Sequence, residues 1–244
     1  MKAMIFAAGL GTRLRPLTDD RPKALVEVEG KPLLRHTVEN LQRFGFNDFV
    51  INVHHFAGKI ETYLKENDNL GVNVALSKEE TELLDTGGGI KFARPLLEGD
   101  GKFLIHNVDI LSNLDISAMC EACPADAIST LLVSERETTR YFLFDDDGRL
   151  CGWTNLSTGE VKSPFGKIDP AKYNRFAFAG VHCVSDRIFP LMEGWPAKFS
   201  IVDFYLQAAK ENPIYAYVQT GLELIDVGKI ETLGLASDFI RRRR

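Results

Sequence analysis

The chain has 244 residues, with 45% hydrophobic and 26% charged side chains and a formal net charge of −5. That length suits one α/β domain of about 200 to 250 residues around a single sizeable core, and no stretch reaches the ~18 uninterrupted apolar residues that a membrane span requires. The negative balance excludes the broad basic footprint with which proteins grip a nucleic-acid backbone, so an anionic ligand must depend on a local patch.

In chain order, Ala3 to Ala8 reads as a buried first strand. Its apolar run of about six residues meets glycines and arginines, whereas a secretory h-region needs ~7 to 15. Residues 1–35 hold seven basic against four acidic side chains, a local patch suited to an anion. Pro32 suits the first helical position, Leu33, Leu34, Thr37, Val38, Leu41 and Phe44 follow helical spacing, and Gly45 supplies a left-handed cap. Runs rich in Ile, Val, Leu and Phe predict strands over Asp48 to Val53, Val72 to Ser77 and Lys102 to His106. Helices are expected over Phe56 to Glu66 and Gly88 to Arg94, and this alternation implies parallel βαβ units.

After Asp126 the pattern changes. Ala127 to Ser134, Tyr141 to Phe144 and Arg149 to Trp153 read as strands, the last two joined by an Asp147-Gly148 turn. A strand over Arg175 to Cys183 precedes helices near Ser185 to Met192 and Ser200 to Glu211, a strand over Ile214 to Val218, and a final helix after Gly228. One α/β domain over residues 1–244 is therefore expected, mostly parallel over about 1–126 and mixed over about 127–244. The four cysteines lack the density of a disulfide scaffold, which points to a reducing cytoplasm. Cys120 and Cys123 form a CxxC with no second such pair, so packing rather than metal is expected of them. The terminal run Arg241 to Arg244 reads as a solvated helix end.

The chemistry-bearing segments follow strand ends, where open α/β sheets bind ligands. The first is Ala8-Gly9-Leu10-Gly11-Thr12-Arg13-Leu14-Arg15-Pro16-Leu17-Thr18, followed by Pro22-Lys23-Ala24-Leu25. Glycines there let backbone N–H groups approach phosphate oxygens, and Arg13 and Lys23 add positive charge. A dinucleotide fingerprint would need Gly or Ala where Leu14 stands, and no Gly-Lys pair is followed by Ser or Thr as a P-loop requires. A second glycine tract, Asp85-Thr86-Gly87-Gly88-Gly89, opens a helix with Thr86 as its expected N-cap. Asp109 and Asp226 each stand just past a short apolar run.

From Gly9 to Leu25 the chain resembles the sugar-nucleotidyltransferase family, whose signature is GxGTRLxPLT followed by PKxL. The resemblance implies a Rossmann-like fold, with a nucleotide-binding and then a sugar-binding half. It implies a loop in which Ala8 and Gly9 lie near base and ribose, Gly11 and Thr12 complete the cradle, and Arg13 and Lys23 face phosphates as the catalytic cations. The tract at Thr86, Gly87 and Gly88 is similar to the family's turn against base and ribose, and Glu80 in the acidic stretch before it is the expected base contact. Asn107-Val108-Asp109 resembles the family's NxD segment and Leu224-Ile225-Asp226-Val227-Gly228 its late DVG segment, which makes Asp109 and Asp226 the expected ligands of Mg2+. Val108 is bulkier than the small residue usual there. Phe178-Ala179-Gly180-Val181-His182 is similar to the sugar-side strand, so Asn107, Phe178 and Gly180 are expected at the sugar, with His182 an ordinary strand histidine. The family's sugar-phosphate lysine has no clear counterpart, and Lys162 and Lys167 are unassigned.

The implied reaction joins a nucleoside triphosphate to a sugar 1-phosphate and releases pyrophosphate, with no nucleic-acid or membrane partner. The LDTGGG tract looks most like N-acetylmuramate 1-phosphate uridylyltransferases, and also like heptose or mannose 1-phosphate guanylyltransferases. A non-catalytic nucleotide-sugar sensor on the same fold is the competing reading.

Overall fold

A computed structural model describes residues 1–243; Arg244, the last of the terminal arginines, lies outside them. Strand β1 (Ala3–Phe6) alternates its side chains between two cores, as strand geometry dictates. Ala3 and Ile5 enter one apolar cluster while Met4 enters the other. A short hairpin, β2 (Glu27–Val28) and β3 (Lys31–Pro32), turns through Glu29 and Gly30, both at positive φ, and delivers the chain to α1 (Leu33–Gln42). Pro32 pairs with Glu27 in the hairpin and is extended, with ψ 149°, so the helix begins one residue later than expected. Gly45 follows α1 at φ 82°.

Strand β4 (Asp48–Val53), α2 (Ala57–Glu66), β5 (Asn73–Lys78), α3 (Asp85–Phe92), α4 (Arg94–Leu97) and β6 (Lys102–Asn107) continue the alternation. Strands β5, β4, β1 and β6 lie side by side and parallel. Both faces of this segment are covered, which is why its strands read as nearly continuous apolar runs. Phe49, Ile51 and Leu104 join the first cluster with Ile5, whereas Val50, Phe103 and Ile105 join the second with Met4.

The second half extends the same sheet mostly by antiparallel pairing. After β7 (Ile110–Ser112) and α5 (Ile116–Glu121) come β8 (Ser129–Ser134), β9 (Arg140–Phe144), β10 (Leu150–Asn155) and β11 (Glu160–Lys162). The long β12 (Asn174–Ser185) pairs with β6, β8 and β9, and so joins the halves. Helices α6 (Ile188–Met192) and α7 (Ile201–Ala208), strands β13 (Ile214–Val218) and β14 (Leu224–Asp226), and α8 (Thr232–Arg242) finish the chain. The fold is mixed α/β, with a sheet that is parallel at its centre and flanked by helices. Among the described residues no helix is long and apolar enough to cross a membrane.

The start of α3 differs from the expectation. Helix α3 begins at Asp85 rather than at the expected Gly88; Asp85 sits at φ 61°, and its Oδ1 accepts from the Thr86 amide. The Thr86 hydroxyl is not an N-cap: it accepts from the Ile201 amide at 3.0 Å, so a tertiary contact with α7 fixes the start of α3. His182 is buried, with Nδ1 2.6 Å from the Tyr205 hydroxyl, as an ordinary strand histidine should be.

Candidate active site

Strands β1 and β6 end in register and β4 runs one residue further, with Phe6 opposite both Asn52 and Asn107. All three line an open cleft of about 1100 Å³, including the solvent at its mouth, beyond the carboxyl ends of the parallel strands. The loop from Ala7 to Arg13 forms one wall. It is pinned at its start by the Ala7 amide, which donates to Asn52 O at 3.0 Å, and further on by the Thr18 hydroxyl, which donates to Gly11 O at 2.8 Å. Gly11 sits at φ 64°, and a Cβ there would come within 2.9 Å of Thr18 Cγ2, so the turn needs glycine. Leu14 is fully buried and anchors the next turn, leaving Arg13 exposed along the cleft.

Asp109 follows β6. Its carboxylate accepts from Lys23 Nζ in a partly buried ion pair. The side chain of the bulky Val108 is taken up by the first core cluster and is only 4% exposed. Strand β14 lies antiparallel to β7 with Asp226 opposite Ile110, and the Val227 amide donates to Asp109 O at 2.8 Å. This three-residue ribbon brings Asp226 beside Asp109 although 117 positions separate them in sequence. Gly228 makes the corner possible: a Cβ there would lie 2.7 Å from Asp226 Oδ1 and 3.3 Å from an Arg13 guanidinium nitrogen. Asp226 Oδ1 is buried and has no hydrogen-bond partner, while its Oδ2 lies 4.0 Å from Arg136.

The opposite wall differs from the sequence reading. Glu79, not Glu80, lines the cleft; Glu80 is exposed beside it. The Glu79 carboxylate is buried and accepts from Asn52 Nδ2 at 2.7 Å and from the Leu84 amide at 2.8 Å. Asp85 and Thr86 reach the cleft, but Gly87 and Gly88 do not line it. Their amides both donate to Phe199 O, at 2.9 and 3.2 Å, so these donors are already taken. A Cβ on Gly87 would strike the Phe199 ring at 2.4 Å, and one on Gly88 would strike Ala197 O at 2.2 Å. Tertiary packing by itself requires glycine at these two positions.

On the side of the second half, Gly180 at φ 72° allows close approach to Asn107, whose Nδ2 would lie 2.3 Å from a Cβ. Phe178 is half-buried against Phe142 and His182 and lies outside the lining of the cleft. Lys162 is engaged elsewhere, 3.1 Å from Asp203 and over the Trp153 ring, and Lys167 is exposed away from the cleft.

A loop of free backbone amides, two cations and two adjoining carboxylates are thus gathered at one end of the sheet. The sequence description of nucleotidyl transferases matches residues 2–242. The chain belongs to the nucleotidyl transferase family. A curated member, N-acetylmuramate alpha-1-phosphate uridylyltransferase of Caulobacter vibrioides, is 34% identical over 228 residues, covering 90% of this chain and 89% of the relative. The Neisseria meningitidis protein of the same name is 47% identical over 118 residues, 48% of this chain and 51% of its own length. Mannose-1-phosphate guanylyltransferase catalytic subunit beta of Xenopus tropicalis is 39% identical over 121 residues, only 33% of that protein. Among solved structures, HddC from Yersinia pseudotuberculosis complexed with GMP-PN superposes with a TM-score of 0.76 at 24% identity, covering 98% of this chain and 99% of that one. The inositol-1-phosphate CTP transferase of T. maritima gives 0.78 at 20% identity, covering 99% and 95%. These structures share the fold.

As a nucleotidyl transferase, the chain carries cleft residues that sequence reading passed over. Asn52 had a legible signal, since it stands next to the end of a parallel strand, whereas Glu79 could not be told from Glu80 and Glu82 without knowing which one the chain turns inward.

Proposed function

We propose that this nucleotidyl transferase moves the uridylyl group of UTP onto N-acetylmuramate 1-phosphate with Mg2+, releasing pyrophosphate. The observation that carries the reading is the joining of Asp109 and Asp226 by the β7–β14 ribbon at the loop that bears Arg13, with Lys23 on Asp109. The choice of substrates leans on the Caulobacter relative, which is similar over nearly the whole of both chains.

In this reading the backbone of Ala8, Gly9, Gly11 and Thr12 cradles the triphosphate, and Arg13 and Lys23 neutralise its charge. Asp109 and Asp226 fit a divalent cation: both are carboxylates, Asp226 Oδ1 is buried with no protein partner, and magnesium commonly takes one or two carboxylates beside phosphates and water. Bound there, the ion would neutralise triphosphate charge and orient the α-phosphoryl group. The acceptor phosphate oxygen attacks the α-phosphorus in line, and pyrophosphate departs. That oxygen is already anionic near neutral pH, so no general base is needed. Burial pushes His182 down to about 3, so it stays neutral in the sheet core.

Asn107, packed closely against Gly180, faces the acceptor, and Phe178 backs that side of the pocket. Four free thiols support a reducing cytoplasm as the place of work. GTP with mannose or heptose 1-phosphate is the second reading, favoured by the guanylyltransferase relatives at about 40% identity over half of the chain. A sensor without catalysis is disfavoured, because nucleotide binding alone does not require both carboxylates. The test is a pyrophosphate-release screen of the four nucleoside triphosphates against N-acetylmuramate, glucose, mannose and heptose 1-phosphates. UTP with N-acetylmuramate 1-phosphate should give the highest kcat/KM; a higher value for GTP with mannose or heptose 1-phosphate selects the second reading, and release with no pair sinks both.

A further inference from the structure

The acceptor brings its own phosphate dianion to the cleft, and the lysines of the 150–170 segment do not reach it. Lys162 is held by Asp203 and lies over Trp153. Beyond Arg13 and Lys23, which line the cleft, a further cation stands beside Asp226: Arg136, in the connection between β8 and β9 and outside the lining itself. One of its terminal nitrogens donates to Phe178 O at 3.2 Å, and the other lies 4.0 Å from Asp226 Oδ2. Asp226 thus has Arg136 of the second half beside it, while Arg13 of the first half shares with it the close neighbourhood of Gly228.

We propose that Arg136 binds the phosphate of the sugar 1-phosphate and sets its approach to the α-phosphorus. This rests on the transferase reading given above. At 4.0 Å with both side chains more than a third exposed, the contact with Asp226 is too loose to be worth much as an ion pair. It does keep a planar guanidinium beside Asp226, with one edge tied to the β12 backbone and the remaining N–H groups uncommitted. A guanidinium offers five donors in a fork that matches phosphate oxygens. Phe178 then acts mainly through its carbonyl, which explains how a half-buried side chain packed on Phe142 belongs to the acceptor side without lining the cleft.

The experiment measures steady-state pyrophosphate release for wild type, Arg136→Met and Arg136→Lys. UTP is paired in turn with N-acetylmuramate 1-phosphate and N-acetylglucosamine 1-phosphate, and magnesium is varied. Loss of a charge-assisted contact to phosphate predicts that Arg136→Met raises the acceptor KM on the order of 10- to 100-fold. The UTP KM and the half-saturating magnesium concentration should stay within about twofold. Arg136→Lys should recover part of the loss, and melting temperatures should show all three proteins folded. Because the contact is to the shared phosphate, the proportional loss should be the same for both sugars.

An unchanged acceptor KM overturns the proposal. A shift in the magnesium requirement instead makes Arg136 only a pin for Asp226. A loss confined to N-acetylmuramate 1-phosphate assigns Arg136 to the sugar's carboxylate, also against the proposal. Failure of the transferase reading looks different: wild type would release no pyrophosphate with either sugar or with any pair in the wider screen.

Discussion

Replacing Asp226 by Asn separates the catalytic demand on this residue from its structural one. The carboxylate has a buried oxygen with no hydrogen-bond partner in the protein. Leaving a buried polar group unsatisfied costs roughly 1 to 3 kcal/mol, so removing the charge at constant size should not destabilise the fold. The melting temperature should hold or rise by a few degrees, at about 2 to 4 °C per kcal/mol for a domain of this size. Activity should move the other way, because Asn is a poorer ligand for a hard cation, with a loss of about 10²- to 10³-fold at fixed magnesium.

Asp109→Asn should cost comparable activity but also stability. It strands Lys23 in a pair whose side chains are only 12% and 19% exposed, a loss of roughly 1 to 3 kcal/mol, between the surface and fully buried limits. If both carboxylates serve one ion, the double mutant should lose little more than the worse single mutant. Independent action would multiply the losses to roughly 10⁴- to 10⁶-fold. The assay is pyrophosphate release against magnesium concentration for the four proteins, with melting curves alongside. Multiplicative losses, or a wild-type magnesium requirement in Asp226→Asn, would refute the shared site and leave the β7–β14 ribbon a structural element only.

Arg13→Ala should lower kcat/KM by about 10²- to 10³-fold with melting unchanged, since the side chain is exposed and Leu14 anchors the turn; near-normal turnover by a folded mutant would remove it from the chemistry. Gly88→Ala drives a methyl group into Ala197 O, so it should lower stability by roughly 1 to 3 kcal/mol in a denaturant titration, whereas a direct nucleotide role would raise the UTP KM with stability intact. Burial pushes His106 down to about 4 and His182 to about 3, from 6.5 in the unfolded chain. The unfolded state thus binds more protons below pH 6.5, and stability present above that pH is lost as pH falls towards 4, by roughly 3 kcal/mol for His106 alone. His106→Gln should flatten this part of the curve of unfolding free energy against pH, and an unchanged slope between pH 6.5 and 4 would contradict the buried neutral state.

The parallel segment was legible because both of its faces are buried, which leaves long apolar runs such as Phe49 to Val53 and Phe103 to Ile105. Ribbons of two or three residues carry no periodicity, so nothing in the sequence marks β2, β3, β7 and β11. The pairing that sets Asp226 against Ile110 therefore had no local signal, although both carboxylates stood out by their motifs. The glycine tract misled for a physical reason. Gly87 and Gly88 look like ligand-facing glycines, but the demand for small residues comes from the 197–199 segment, more than 100 positions away. Arg136 lies between strands in an unremarkable charged stretch, and only folding sets it near Asp226 and Phe178.

The most direct test of the central claim follows α-phosphate-labelled UTP through one incubation with N-acetylmuramate 1-phosphate and magnesium. The account predicts label only in a nucleotide-sugar, formed in equal amount with pyrophosphate and only when the sugar phosphate is present. Label appearing in uridine monophosphate irrespective of the sugar phosphate, or remaining in UTP with this and every other sugar 1-phosphate, would contradict it.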